Sequence, residues 1–183
     1  MTTRQGSIDN LCGIYSVLNA TEIVIGKFAY SRKRKNRRNQ KLALFSDLVG
    51  YLAKQGKLKK ALTEGIDKID SPGGMLDIAV KSVWRYQKRR MKKQVAFDQN
   101  AATSGAYWER LVSHLGQDGA CVIVLLTGRL DHWTCIREIT ARTLLLADST
   151  GMKYVFRHRC RVGVEEEGMY SLWPNKTYLL SLL

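Results

Sequence analysis

Cys12 stands directly before Gly13, in a stretch whose apolar residues Leu11, Ile14, Tyr15 and Leu18 fall at helical spacing. A cysteine in the first turn of a helix feels the positive end of the helix dipole and backbone N–H groups that have no acceptor within the helix. Both favour the thiolate, which is the nucleophile, and Gly13 leaves the space beside the sulfur open. Such a thiol needs a base, and the chain holds 3 histidines. His114 lies on a polar-rich helical stretch and His158 between Arg157 and Arg159, so both are expected at the surface. His132 opens an apolar strand after the turn-like Gly128-Arg129-Leu130-Asp131, a place from which an imidazole can point toward a cleft. Sixteen residues on, Asp148 ends the next strand-like run. A hairpin around Thr140–Arg142 would put His132 and Asp148 side by side, with the carboxylate on one ring nitrogen and the other nitrogen facing the thiol. Asp131 is the competing carboxylate, but the ring geometry is harder to reach from the adjacent residue. Asp148 also suits a turn in which it bonds its own backbone. Acyl transfer further needs donors for a developing oxyanion. The backbone N–H of Cys12 is one; Gln5 can supply a side-chain amide, and Asp9 and Asn10 are nearer alternatives.

The elements that must position these groups are readable in outline. Helical periodicity covers 10–25, with Asp9 or Asn10 as N-cap, then 41–56, more weakly 57–68, then 75–91 and 105–116. Ser71-Pro72-Gly73-Gly74 is a turn, and 94–103 is irregular. Strand patterns follow at 120–126, 132–139, 143–147, 153–156 and 177–183. Helices fill the first two-thirds and strands the last third, which predicts an α+β fold with N-terminal helices packed on a C-terminal antiparallel β-sheet. With 2 prolines and no Gly/Ser linker, a single domain over 1–183 is expected.

Gln5…Cys12-Gly13, a helix, then His132-Trp133 and Asp148-Ser149 on successive strands resemble a papain-like cysteine peptidase. The pattern is similar to that of bacterial peptidases that process double-glycine leader peptides. His132-Trp133…Asp148-Ser149 also resembles the SUMO-protease signature, although in that family the cysteine follows the aspartate. The Gln5-to-Cys12 step is one residue longer than usual for the leader peptidases, and the middle third of the chain matches nothing in that family. The resemblance implies a papain-like fold, Cys12 as nucleophile, His132 as general base and acid, Asp148 as its orienter and Gln5 as oxyanion donor. The expected function is hydrolysis of a peptide bond through an acyl-enzyme. The same triad serves deamidases and acyltransferases, including effector enzymes.

Charge offers a rival reading. The 183 residues carry 30 Lys+Arg against 16 Asp+Glu, a formal +14. Segments 27–41, 54–60 and 81–93 hold eight, four and seven of the basic residues, 19 in all, and none of the acids. The other 11 leave the rest of the chain at −5. Such runs belong on solvated loops or outer helix faces, where they would dock an acidic partner or nucleic acid. A binding module with an idle triad is therefore the alternative to an enzyme. Aromatic residues are sparse in these runs, so a single-strand stacking platform is only weakly indicated. No apolar run reaches the ~20 residues of a membrane span, and the N-terminus lacks a secretory layout, so a cytoplasmic location is expected. No pro-segment precedes Gln5, so control by a cleaved N-terminal inhibitor is not expected. Cys121 and Cys135 read as core, Cys12 does not, and the four cysteines fit neither a C-x-x-C pair nor a zinc template. Four free thiols, no metal and no cofactor are expected.

Overall fold

The chain is described from a computed structural model covering residues 10–26, 28, 40–99 and 102–183. Its first element, α1 (Cys12–Ile25), buries almost every side chain. It runs between the sheet and two further helices, α2 (Gln40–Lys54) and α4 (Met75–Gln87), so no wide polar face survives on it. The short α3 (Leu58–Thr63) follows α2. The loop after it delivers Ile66 and Ile69 onto α1 at Gly13. A Cβ at Gly13 would stand 3.1 Å from both isoleucines, which is why the smallest residue occupies this contact.

The strands are β1 (Met91–Val95), β2 (Cys121–Gly128), β3 (His132–Ile139), β4 (Thr143–Leu146), β5 (Tyr154–Phe156), β6 (Cys160–Val162) and β7 (Tyr170–Leu182). They form one seven-stranded sheet in the order β1-β7-β2-β3-β4-β5, with β6 alongside β7. All pairs are antiparallel except β6 with β7. Alternation along β2 sends Cys121 and Ile123 into the core shared with α1 and α4, and Val122, Val124 and Leu126 into a second core. That second core is closed by α5 (Ser104–Leu115) through Tyr107, Trp108 and Leu111. The sheet is thus covered on both faces, and β2 reads as a continuous apolar run for that reason.

The α+β class, the helix positions and the β3–β4 hairpin agree with the sequence reading; several details differ. The fourth helix stops at Gln87, short of position 91, because Lys88 takes the left-handed conformation (φ 58°) and caps it. The residues beyond it turn into β1, which pairs with β7 across a wide gap in sequence. The last strand begins at Tyr170, well before position 177. Pro174 cannot donate to a ladder, and the β2–β7 register shifts across this stretch, between the Val124 and Leu126 pairings. The helices do not all lie on one side, since α5 packs opposite the others. No side chain caps α1: its N-cap is Leu11, and Asn10 Nδ2 instead donates to the Thr63 carbonyl at 2.7 Å. Asp9 and Gln5 lie outside the described residues, as does most of segment 27–41.

Candidate active site

Cys12 begins α1, so its backbone N–H has no acceptor one turn earlier within the helix. Its side chain sits at the margin of the core, 8% exposed. The helix is fixed against the sheet by polar bonds as well as packing. Ser16 Oγ donates to the Gly13 carbonyl within the helix; across to the sheet, Cys135 Sγ donates to the Ser16 carbonyl at 2.9 Å and Asn19 Nδ2 to the Ala147 carbonyl at 3.3 Å. The last bond ties α1 to the residue immediately before Asp148.

The hairpin sets the other two groups. Ile136 pairs with Leu146, and the bond from Ala147 N to Cys135 O continues that register. Asp148 therefore falls diagonal to His132 on the same face of the hairpin, not directly opposite it. Diagonal neighbours lie about 7–8 Å apart at the backbone, within reach of two polar side chains. His132 Nε2 meets Asp148 Oδ1 at 2.6 Å, with both residues buried. The other carboxylate oxygen, Oδ2, accepts from the Thr150 backbone N–H at 2.7 Å and from Thr150 Oγ1 at 2.5 Å. The turn role and the orienting role expected as alternatives for Asp148 are filled together, one by each oxygen. Trp133, the next residue on β3, donates from Nε1 to the Ile66 carbonyl at 2.5 Å and packs on Tyr178. The loop over Gly13 and the strand bearing His132 are thereby locked to each other.

Charge follows from this geometry. Burial alone would push the His132 imidazole toward its neutral form, but hydrogen bonds to Asp148 and Cys12, and the charges of both, outweigh it and raise the pKa to about 9. His132 therefore carries its proton at neutral pH. Burial works against the Asp148 carboxylate as well, yet the bonds from His132 and Thr150 hold it well below the usual carboxylate range. With Nε2 engaged by Asp148, Nδ1 is the ring nitrogen left for Cys12.

The other candidates are placed as follows. Asp131 is exposed, and the carboxylate on His132 is that of Asp148. His158 is exposed in a short 3-10 turn and stacks on Phe156. His114 departs from expectation: it is half-buried, its Nε2 faces the Leu180 carbonyl at 2.9 Å, and burial lowers its pKa. Asn10, considered as an oxyanion donor, has its amide drawn to the Thr63 carbonyl. Thr150, Asn19 and Ile66 were not singled out from sequence. For Thr150 a signal existed, since Asp-x-Thr is an Asx-turn pattern in which the residue two on donates back. All four cysteines are free and buried, which moves Cys12 closer to the core than its sequence context suggests. Among the described residues no group of three His, Cys, Asp or Glu side chains is placed to hold a metal ion, and no helix is long and apolar enough to cross a membrane.

Comparison of the chain with known protein families, curated proteins and solved structures finds no match. What the chain itself offers is a constellation: a helix-borne thiol, an imidazole on the adjoining strand and a buried carboxylate holding that ring.

Proposed function

We propose that the protein is a cysteine peptidase that hydrolyses a peptide bond through Cys12, His132 and Asp148. The observation that carries this reading is the 2.6 Å bond between His132, on a strand that packs against the helix bearing Cys12, and a carboxylate pinned on its far side by Thr150. A nucleophile on a buried helix and its base on the adjoining antiparallel hairpin is the division of labour of a papain-like fold, and that fold is part of the proposal.

The chemistry runs in two halves. The Cys12 sulfur, its proton held on His132, attacks the scissile carbonyl carbon and pushes the carbonyl electrons onto oxygen. The backbone N–H of Cys12, at the start of α1, is the proposed backbone donor to that oxyanion, with Gln5 the proposed side-chain donor. The intermediate collapses by expelling the amine, which takes the proton from His132 and leaves a thioester on Cys12. His132, now neutral, removes a proton from water. The resulting hydroxide attacks the thioester, and the released sulfur pairs again with protonated His132. Asp148 keeps the ring oriented and balances its charge in both halves.

Four free thiols accord with a reducing, cytoplasmic setting. The test is turnover of a denatured protein substrate by wild type and by Cys12→Ala, with mass spectrometry of quenched wild-type enzyme for a thioester. Cleavage and adduct in wild type, both absent in Cys12→Ala, support the proposal. Cleavage that persists in Cys12→Ala refutes it. Ammonia release without chain cleavage would move the same triad to a deamidase.

A further inference from the structure

Outside the triad, the described residues cluster most unusually where α4 meets β1. A groove of about 660 Å³ is lined by Val80, Trp84, Met91 and Leu183 on its floor and by Lys81, Arg85, Lys88 and Arg90 around it. No acid lines it. Trp84 is half exposed and Leu183 mostly so; they are among several large apolar side chains that reach the surface, and these two line this concavity together with four cations. An exposed tryptophan at the base of a concavity is costly to leave in water and marks a contact surface.

The positive rim is arranged, not scattered. The helix ends at Lys88 in a left-handed conformation that a lysine adopts only at a cost. From there its Nζ lies 5.7 Å from the centroid of the Trp84 ring, and the Arg90 guanidinium lies 5.9 Å from the same ring. Arg89, between them, turns the other way and donates to the Ile25 carbonyl at 3.0 Å. Lys93 is also withdrawn: it bridges Asp70 and Asp77. The basic run at 81–93 is thus sorted. Arg89 and Lys93 hold the fold and Lys92 is exposed on β1, while Lys81, Arg85, Lys88 and Arg90 line one groove, and none of those four is in an ion pair among the described residues. Lys81 and Arg85 also border a neighbouring concavity of about 330 Å³ between α2 and α4, where Lys54 is joined by the acid Asp47, so the purely basic lining is confined to the groove.

We infer that this groove docks an acidic amphipathic segment of a partner protein, with one or two apolar side chains on Trp84 and carboxylates on the surrounding cations. The floor decides between classes of partner. Single-stranded nucleic acid is held by a run of aromatic faces on which successive bases stack. Here the floor is aliphatic apart from Trp84, which offers a single ring and no such run. A leucine or phenylalanine flanked by glutamates satisfies both floor and rim, burying apolar area at the centre with charge pairs at the edge. The inference does not depend on the peptidase reading, because nothing in the groove belongs to the triad.

The test uses the full chain carrying Cys12→Ala, so that binding is read without turnover. Three probes of equal length are titrated by fluorescence anisotropy: a peptide of alternating Glu and Leu, its Lys/Leu counterpart, and an oligothymidylate. The Glu/Leu peptide is expected to bind best and to weaken several-fold as salt rises from about 0.05 to 0.3 M. Lys88→Glu with Arg90→Glu is expected to cost roughly tenfold or more, and Trp84→Ala a similar factor. Lys88→Gly with Arg90→Gln removes two charges while suiting the left-handed backbone, so a loss seen there does not come from backbone strain at position 88. Peptide affinity that is unchanged in all of these variants overturns the inference. So does an oligothymidylate that binds more tightly than the peptide and loses affinity in the same variants, which would make the groove a nucleic-acid site.

Discussion

Replacing Asp148 by Asn removes one charge and keeps the shape, and the structure says what should follow. In wild type the His132 pKa is raised from 6.5 to about 9. At 1.36 kcal/mol per pKa unit that preference is worth about 3 kcal/mol to the protonated ring. The bonds and charges that raise it come from Asp148 and Cys12, while burial, the largest single influence, lowers it. In Asp148→Asn only Cys12 opposes burial, so the His132 pKa should fall well below its wild-type value. Geometry compounds the loss. The two Thr150 donors select the amide oxygen, which turns the amide NH₂ toward His132 Nε2. That nitrogen must then accept, and the ring is held neutral in the wrong tautomer for a base facing Cys12. Turnover should fall by about 10³-fold. The stability effect has a definite sign. A raised pKa contributes stability that is complete below 6.5 and is lost as pH climbs through about 9. Wild type should therefore exceed Asp148→Asn by about 3 kcal/mol at pH 6, and the gap should close by pH 10. The assays are NMR titration of the histidine ring protons, with His132 assigned by its loss in His132→Gln, and urea unfolding at both pH values. A His132 resonance that titrates at the wild-type position in Asp148→Asn would refute the reasoning, as would a stability gap that widens with pH.

Two further substitutions probe the support around the triad. Thr150→Val deletes the hydroxyl donor to Asp148 Oδ2 but not the backbone one. It should lower kcat roughly tenfold with KM and melting temperature little changed, and Thr150→Ser should restore most of the rate; a Val variant with full kcat would mean the hydroxyl is idle. Gly13→Ala gains about 1 kcal/mol of helix propensity, but its Cβ meets Ile66 and Ile69 at 3.1 Å, and such overpacking costs about 1–3 kcal/mol. Thermal melts should show net destabilisation, because Ile66 is contacted at its own Cβ as well as at its mobile tip; a more stable Gly13→Ala would show that the loop yields freely.

The parts of the fold legible in sequence were those whose pattern is local. The alternation of the β3–β4 hairpin and the helical spacing around Cys12 are set by neighbours within a few residues, and the hairpin alone suffices to bring His132 and Asp148 together. What stayed hidden depends on distant partners. Met91-Lys92-Lys93-Gln94-Val95 has no strand-like composition; it becomes β1 because β7 offers an unpaired edge and because Asp70 and Asp77 neutralise Lys93. The early start of β7 was masked by Pro174, which breaks the pattern while the strand resumes around it. His114 looked like a surface residue because the Leu180 carbonyl that receives it lies 66 residues away. The clamp of Ile66 on Gly13 and Trp133 is likewise a long-range contact. The high positive charge was legible as a total, whereas the sorting of its residues into structural cations and groove cations required the turn at Lys88.

The most direct measurement is the site and rate of alkylation by a limiting amount of iodoacetamide, read by peptide mapping at neutral pH in wild type and in His132→Ala. Burial pushes the Cys135 and Cys160 thiols up, Cys160 to about 12, so they should resist the reagent. Wild type should give a single rapid adduct on Cys12, and a much slower one once His132 is gone. Labelling spread over other cysteines, or Cys12 reacting equally fast without His132, would contradict it.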